Sequence, residues 1–140
     1  MTLPLGSNPF YAVCYSTSMS KPNITRMEKK SLDFSPDETL TIEKAKIDIA
    51  KVGDTTIGRG YFEPGWSWEK SVKPIAKTDS CQLQHTHYVI SGSLKVAMDD
   101  GTEEEFGSGD IAYVPPGHNS WVIGNEPLVI LDFNGFEGQK

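Results

Sequence analysis

The sequence predicts an all-β domain made of short strands. Thirteen glycines and nine prolines are spread over 140 residues, between short runs rich in Val, Ile and Tyr, and this pattern is typical of strands joined by tight turns. No stretch shows convincing helical periodicity. A chain of this length forms one domain of ordinary size. We therefore expect a single β-sandwich or barrel over residues 23–140, with residues 1–22 as an N-terminal arm.

Composition narrows the range of functions. A net charge of -6 and a pI near 5.0 give no electrostatic footprint for nucleic acid. No apolar run reaches the roughly 20 residues that cross a bilayer, and the N-terminus lacks the features of a signal peptide. We therefore expect no membrane association and a cytoplasmic location. The two cysteines, Cys14 and Cys81, do not indicate a disulfide framework and are expected to be reduced.

The N-terminal arm, residues 1–22, shows neither helical nor strand periodicity. Its apolar side chains include Phe10, Tyr11, Val13 and Tyr15, which are too many for a purely solvated tail. The arm is therefore expected to lie on the barrel or on a second subunit, and a partly ordered extension is the alternative. Because an open-ended barrel also has edges to cover, we expect a homodimer.

The first half of the chain can be divided into elements in order. Residues 26–34 predict a short strand that ends at a turn over 35–38. Residues 41–52 fit either a helix or a strand, and we favour a strand because Gly53-Asp54 and the β-branched run after it indicate a hairpin. An extended segment then puts Trp66 and Trp68 on one face, where packing explains them better than a ligand cage. Residues 73–80 are expected to form a polar loop.

A strand that carries two of the three histidines is predicted over residues 81–92. Successive side chains of a strand point to opposite faces, so one face holds Cys81, Leu83, His85, His87 and Val89. We expect this face to point into the lumen of the barrel.

Later strands are predicted over 93–98, 103–106, 111–114, 121–123 and 128–133. The first two are joined through an Asp-Gly turn at 99–102, which is a common hairpin connection. The third histidine, His118, lies between two of these strands.

Two of these segments carry motifs. Tyr88-Val89-Ile90-Ser91-Gly92 resembles the end of the first cupin motif, and the run from Gly109-Asp110 to Pro115-Pro116-Gly117 resembles the second. The chain is thus similar to the cupin superfamily over roughly residues 40–134. This resemblance implies a double-stranded β-helix, the jelly-roll barrel of cupins.

The metal-ligand positions of the family are only partly matched. The first motif of the family runs Gly-x5-His-x-His-x3,4-Glu-x6-Gly, and the alignment puts His85 at the glutamate position and Ser71 and Lys73 at the two histidine positions. In the second motif the histidine position holds Ser120, and His118 precedes it by two residues on the same face. The resemblance therefore implies a metal site with unusual ligands.

The candidate metal ligands are Cys81, His85, His87 and His118. Their nitrogen and sulfur atoms suit a divalent transition metal such as Zn, Fe, Ni or Cu, whereas Mg and Ca prefer oxygen. Cys81 and His87 would stand roughly 20 Å apart on a fully extended strand, so we favour His85, His87 and His118. Cys81 would join only if His87 is not a ligand or if the strand is distorted.

A structural interpretation of the same residues stays open. His85 and His87 would then be satisfied polar groups of a ligand pocket, Cys81 a small buried apolar residue and His118 a surface turn residue. The sequence accordingly allows two functions. One is a metal-dependent cupin that acts on or binds a small organic molecule in the lumen, and the other is a non-catalytic small-ligand-binding or sensor cupin without metal.

Overall fold

The computed structural model describes residues 24–134 and 136. The predicted arm and Cys14 lie outside the described residues. Short strands dominate the described part, as the sequence predicts, and two one-turn helices interrupt them. The strands are β1 Glu38–Ile42, β2 Ala45–Val52, β3 Thr55–Phe62, β4 His85–Ser91, β5 Ser93–Met98, β6 Glu103–Gly107, β7 Ile111–Val114, β8 His118–Ile123 and β9 Leu128–Asp132, and the helices are α1 Trp68–Ser71 and α2 Lys73–Ala76.

Two antiparallel sheets form the domain. One has six strands in the order β1-β2-β3-β9-β4-β7, and the other has three in the order β6-β5-β8. After β4 the chain crosses repeatedly between the sheets, with β5, β6 and β8 in the smaller one and β7 and β9 in the larger one, which is the arrangement of a jelly roll. The all-β cupin fold predicted from the sequence is confirmed.

The core lies between the inner faces of these sheets. Ile47 of β2, Val89 of β4 and Leu128 of β9 are fully buried from the larger sheet, and Leu94 and Val96 of β5 face them from the smaller sheet. Each fully buried aliphatic side chain contributes about 1.5–3 kcal/mol through removal of apolar surface from water. Polar groups that share these inward positions are therefore held in a rigid apolar frame.

The strand predicted over residues 26–34 is wrong. The described structure has a turn there, in which the backbone N–H of Ser35 donates to Ser31 O at 2.8 Å. The hydroxyl of Ser31 also accepts from the N–H groups of Asp33 and Phe34. Serine hydroxyls compete with strand pairing in this way because they offer the backbone a local acceptor.

The preference for strand over helix in residues 41–52 is confirmed, although the segment belongs to two strands. A tight turn separates β1 from β2, where Lys44 takes a positive φ of 59°. The predicted hairpin after β2 is also confirmed. Val52 pairs with Thr55, and Gly53 between them has a φ of 59°, a conformation that glycine adopts without strain.

The segment between β3 and β4 differs from the prediction. Ser67 accepts from the N–H of Lys70 at 3.2 Å and so caps α1, and Pro74 stands in the first turn of α2. A serine cap and an early proline both favour a helix start. The extended segment therefore ends at Ser67, Trp68 begins α1, and the predicted polar loop is partly helical. No helix in the described part of the chain is long and apolar enough to span a membrane.

The second half follows the prediction closely except at two strand starts. The hairpin at residues 99–102 and the strands β5, β6, β7 and β9 are confirmed within one residue. However, β4 begins at His85, so Cys81 is not part of it. In addition, β8 begins at His118, three residues earlier than predicted. Both changes bear directly on the candidate site.

Candidate metal centre

His85 and His87 point into the interior from β4, as their shared parity predicts. Both are buried, whereas Thr86 is half-buried and Tyr88 is exposed on the other face. The strand holds this register because Val89 lies on the same inner face and is fully buried in the core. A shift by one residue would expose all three inner side chains.

Cys81 reaches the same region by a different route. Its backbone forms an isolated bridge with His118, in which the Cys81 N–H donates to His118 O at 2.7 Å and the Gly117 N–H donates to Cys81 O at 2.7 Å. The chain between Cys81 and β4 is irregular, so it is shorter end to end than an extended strand. As a result, Cys81 Sγ lies 3.7 Å from His85 Nε2.

Asp132 is a site residue that the sequence interpretation missed. It is fully buried at the end of β9, and its Oδ2 accepts from His85 Nδ1 at 2.8 Å. Its Oδ1 accepts from the N–H of Asn134 at 2.7 Å. The signal for it was present in the sequence, since Asp132 shares strand parity with Leu128 and Ile130 and so belongs to the inner face.

These side chains form two groups that share His85. Within each group the potential ligand atoms lie within 4.8 Å of one another. One group is Cys81, His85 and His118, and the other is His85, His87 and Asp132. The structure thus brings all four predicted residues to one cavity. However, neither group is the set of three histidines that strand spacing favours, because His87 and His118 fall in different groups. The distorted chain after Cys81 meets the condition under which this thiol was expected to join. Metal binding itself stays a prediction.

The cavity between these groups is small, with a volume of about 30 Å³. A water molecule needs roughly 10–15 Å³ of such space, so the cavity holds a few small atoms and not an organic ring. Its walls are mainly apolar. Besides the site residues they comprise Phe62, Trp66, Trp68, Leu94, Val96, Val114, Ser120, Leu128, Ile130 and Phe136.

The buried groups alter the acidity of one another. Burial alone would raise the pKa of the Cys81 thiol, but hydrogen bonds with His118 and His85 lower it to about 6. Burial alone would lower the pKa of His85, but its bonds with Asp132 and Cys81 raise it to about 9. Burial and the charge of His85 lower the pKa of His87 to about 4. Near neutral pH, therefore, Cys81 is a thiolate, His85 is protonated and His87 is neutral.

Hydrogen bonds fix the orientation of two of the imidazoles. The Nδ1–H of His85 donates to the Asp132 carboxylate, and the Nδ1–H of His118 donates to Pro115 O at 2.7 Å. In both rings Nε2 is the nitrogen left to act as a ligand atom. Because the pKa of His85 is raised to about 9, a metal has to displace the proton from its Nε2. Metal-binding histidines usually donate their second nitrogen to a carboxylate or carbonyl in this way, which sets the tautomer and the ring orientation.

The donor set suits a transition metal. One thiolate sulfur and two imidazole nitrogens are ligands for Zn, Fe, Ni or Cu, and their chemistry fits the ion that the fold family implies. Of the positions where the family has histidines, Ser120 lines the cavity. Ser71 and Lys73 lie on α1 and α2, outside the described cavity lining.

Comparison with known proteins agrees with this architecture. A family model described as the EutQ-like cupin domain matches residues 67–127, which is less than half of the chain but spans both motif segments. A search of curated proteins finds no significant match.

Solved structures supply the rest of the comparison. The polyketide cyclase RemF from Streptomyces resistomycificus is 17% identical with a TM-score of 0.53, over 76% of this chain and 78% of that one. The cupin domain of Cnp3 from Schizosaccharomyces pombe is 14% identical with a TM-score of 0.51, over 76% and 72% of the chains. A protein of unknown function from Rhizobium leguminosarum is 23% identical with a TM-score of 0.50, over 77% and 95% of the chains.

The domain is a jelly roll of the cupin type, and its three histidines are buried in the interior. The family match over residues 67–127 and the shared fold both support the resemblance of this chain to the cupin superfamily. At these identities the solved structures establish the fold alone.

Proposed function

We propose that this protein is a metal-binding cupin that holds one transition-metal ion on Cys81, His85 and His118 and binds or transforms a small molecule beside it. The observation that carries the proposal is the pair of Nδ1 hydrogen bonds on His85 and His118. These bonds leave two Nε2 atoms near one buried thiol. Such orientation is what a metal requires before it binds.

The protonation of the thiol supports the same set. A metal binds the thiolate form of cysteine, and the imidazoles beside Cys81 lower its pKa to about 6. The thiol is thus deprotonated near neutral pH without the ion. His87 adds a neutral imidazole next to the three proposed ligands, and it stays available as a further ligand or as a polar contact for the bound molecule.

A bound ion would supply a Lewis acid, and three protein ligands leave a coordination position open for an exogenous group. The residues of the chain provide the surroundings. Phe62, Leu128 and Ile130 give the cavity apolar walls, and Asp132 holds His85 in place. The narrow cavity restricts the molecule that reaches the ion to a small one, or to the small reactive end of a larger one.

A second candidate function is a cupin that binds a small ligand without metal. It is favoured by one observation: Cys81, His85 and Asp132 already form a continuous chain of polar contacts. Such a chain satisfies these buried groups without an ion.

Metal uptake separates the two candidates. We would strip the purified protein with a chelator, load it in turn with Zn, Fe, Ni and Cu, and determine stoichiometry by elemental analysis after gel filtration. One ion per chain is expected for at least one metal, and His85→Ala should lose it. The exposed Glu104→Gln is the control that keeps it, and circular dichroism verifies that both variants are folded.

Two results would leave the metal-free candidate as the better one. The first is failure of the unmodified protein to retain any of the four metals. The second is full occupancy in a folded His85→Ala variant, because His85 belongs to both groups of potential ligands.

A further inference from the structure

Two tryptophans beside the proposed metal centre carry hydrogen-bond donors without acceptors. Trp66 and Trp68 are only 6% and 3% exposed. Among the residues that the structure describes, the Nε1 atom of neither indole has a partner. An indole N–H can only donate, and a buried donor without an acceptor lowers the stability of the fold. Each of these two indole N–H groups would therefore be stabilised by an acceptor from a bound molecule.

Both indoles belong to the cavity that holds the proposed ligands. Trp66 and Trp68 line it together with Cys81, His85 and His118. Local structure fixes both rings. Trp66 packs edge-on against Phe62 with ring centroids 4.6 Å apart, and Trp68 opens helix α1 behind the cap of Ser67. The two donors are thus part of a rigid wall and cannot turn to solvent for a partner.

The chemistry of this wall selects the ligand. Its two indole donors require a ligand with acceptor atoms, and a metal cation beside them favours negative charge. The cavity of about 30 Å³ has room for two or three small atoms in all, since a water molecule needs roughly 10–15 Å³. Beside the ion it therefore admits only one or two atoms of that ligand. His87 adds a third buried nitrogen, Nδ1, that has no partner in the described part of the chain.

We infer that the cavity admits one or two atoms of a small anion, which occupies the open position of the metal and accepts hydrogen bonds from Trp66 and Trp68. This inference rests on the proposed function, because the ion supplies the positive charge. It names the class of molecule that the centre takes: a small anion, or the anionic end of a substrate, with acceptor atoms and no donors.

Azide is the probe, and cobalt and zinc are the metals. In the cobalt-loaded protein, azide should change the visible ligand-field spectrum in a saturable manner. Trp66→Phe and Trp68→Phe keep an aromatic ring and remove only the N–H. Each should weaken azide about tenfold, as loss of one hydrogen bond to a charged group does. Trp121→Phe, outside the described cavity lining, should leave the azide affinity unchanged.

A second measurement needs no variant. In the zinc-loaded, ¹⁵N-labelled protein, azide should shift the indole N–H resonances of two of the three tryptophans. Shift of the Trp121 resonance alone, or of none, would overturn the inference.

The outcomes also separate this inference from the function on which it rests. A cobalt spectrum that azide does not alter overturns the anion site and leaves the metal centre standing. So does an azide affinity that is the same in both variants as in the unmodified protein. A protein that takes up no cobalt and no zinc overturns both. Binding at molar azide only, with no effect of either variant, shows an adventitious ion only and counts against the site.

Discussion

His85 and Asp132 are joined by a hydrogen bond of 2.8 Å between Nδ1 and Oδ2, inside the sheet where β4 pairs with β9. Asp132 ends β9 and His85 begins β4, so the bond joins residues that are 47 positions apart in the sequence. It both orients a proposed ligand and satisfies a fully buried carboxylate. Two of its consequences can be measured in one variant.

Asp132→Asn should weaken metal binding by about 10–100-fold, the usual effect of losing the group that orients a ligating histidine. The free energy of unfolding should fall by roughly 1.5–3 kcal/mol, because a hydrogen bond to a charged group is lost. Competition with a chromophoric chelator measures the affinity. Asp48→Asn is the matched control, since Asp48 is also buried but pairs with Arg59 outside the site. It should lose stability and keep the metal, and equal metal loss in both variants would contradict the assignment.

The two proposed ligand sets differ in one residue. The structure favours Cys81 with His85 and His118, whereas strand spacing favours His87 with them. We expect Cys81→Ser to weaken metal binding at least about tenfold, because a thiolate is replaced by a poor ligand. His87→Gln should change it much less. Cys14→Ser serves as the thiol control, and the cobalt-loaded protein should lose its thiolate-to-metal absorption only in Cys81→Ser. The reverse ranking of Cys81 and His87 would instead favour the three-histidine set.

Part of this site could be predicted from the sequence because strand parity is a local property. Alternation alone places His85 and His87 on the inner face, since each side chain needs only its immediate neighbours to fix its direction. The turn chemistry at Gly53 and Gly101 is local in the same sense.

The rest of the site depends on contacts between distant parts of the chain. Cys81 approaches His85 because its backbone forms a bridge with His118. The spacing of residues along a single strand cannot predict such a bridge, because it joins two separate segments. Asp132 lies 47 residues from its partner. The sequence shows that it shares a face with Leu128 and Ile130, but not which residue of the neighbouring strand it meets.

Acid should destabilise the metal-free protein through His87. Burial and the charge of His85 lower the pKa of His87 to about 4, whereas an unfolded histidine titrates near 6.5. Between these values the unfolded chain binds a proton that the folded chain does not. The stability contributed by neutral His87 is therefore complete above about pH 6.5 and is lost as the pH falls toward 4.

Urea denaturation at pH 7 and pH 5 measures this contribution. Between the two pH values the unmodified protein should lose roughly 2 kcal/mol more than His87→Gln does. Carboxylates elsewhere titrate alike in both proteins and cancel in the comparison. Equal losses would show that His87 keeps an ordinary pKa in the folded state.

Gly92 should be the most sensitive glycine of the first motif. Its φ is +81°, and a Cβ there would lie 2.3 Å from Pro127 O and 2.7 Å from Leu128 Cα. Both are backbone atoms, one in the first residue of β9 and the other in the residue just before it. They therefore cannot move aside. Gly101 is the matched control, because it also has a positive φ of 93° but nothing within 4 Å of the added atom.

Alanine at the two glycines should thus have unequal effects on thermal unfolding. Gly101→Ala should cost roughly 1 kcal/mol from the left-handed backbone alone. Gly92→Ala should cost more than about 3 kcal/mol, as severe steric conflicts do. Similar costs would mean that the chain around Pro127 adjusts freely.

Exposed apolar side chains on the outer face of the larger sheet indicate a surface through which two copies of the chain could associate. The edge strand β7 exposes 74% of Ile111 and 62% of Tyr113, and Tyr88 of β4 lies beside Ile111. The outer faces of antiparallel sheets are usually polar, and a contiguous apolar patch usually marks an interaction site. Because this patch carries no charge, two copies of a chain with net charge -6 can meet there without opposing like charges.

We therefore expect a homodimer formed through this face, with a mass by multi-angle light scattering of twice 15.4 kDa. Ile111→Lys combined with Tyr113→Lys should give monomers, because four lysines would then face one another across the symmetric interface. Ile75→Lys is the control, since Ile75 is also exposed but lies on α2. A variant without residues 1–22 tests the arm. If it alone is monomeric, the arm and not β7 holds the dimer, and a monomeric unmodified chain removes the prediction.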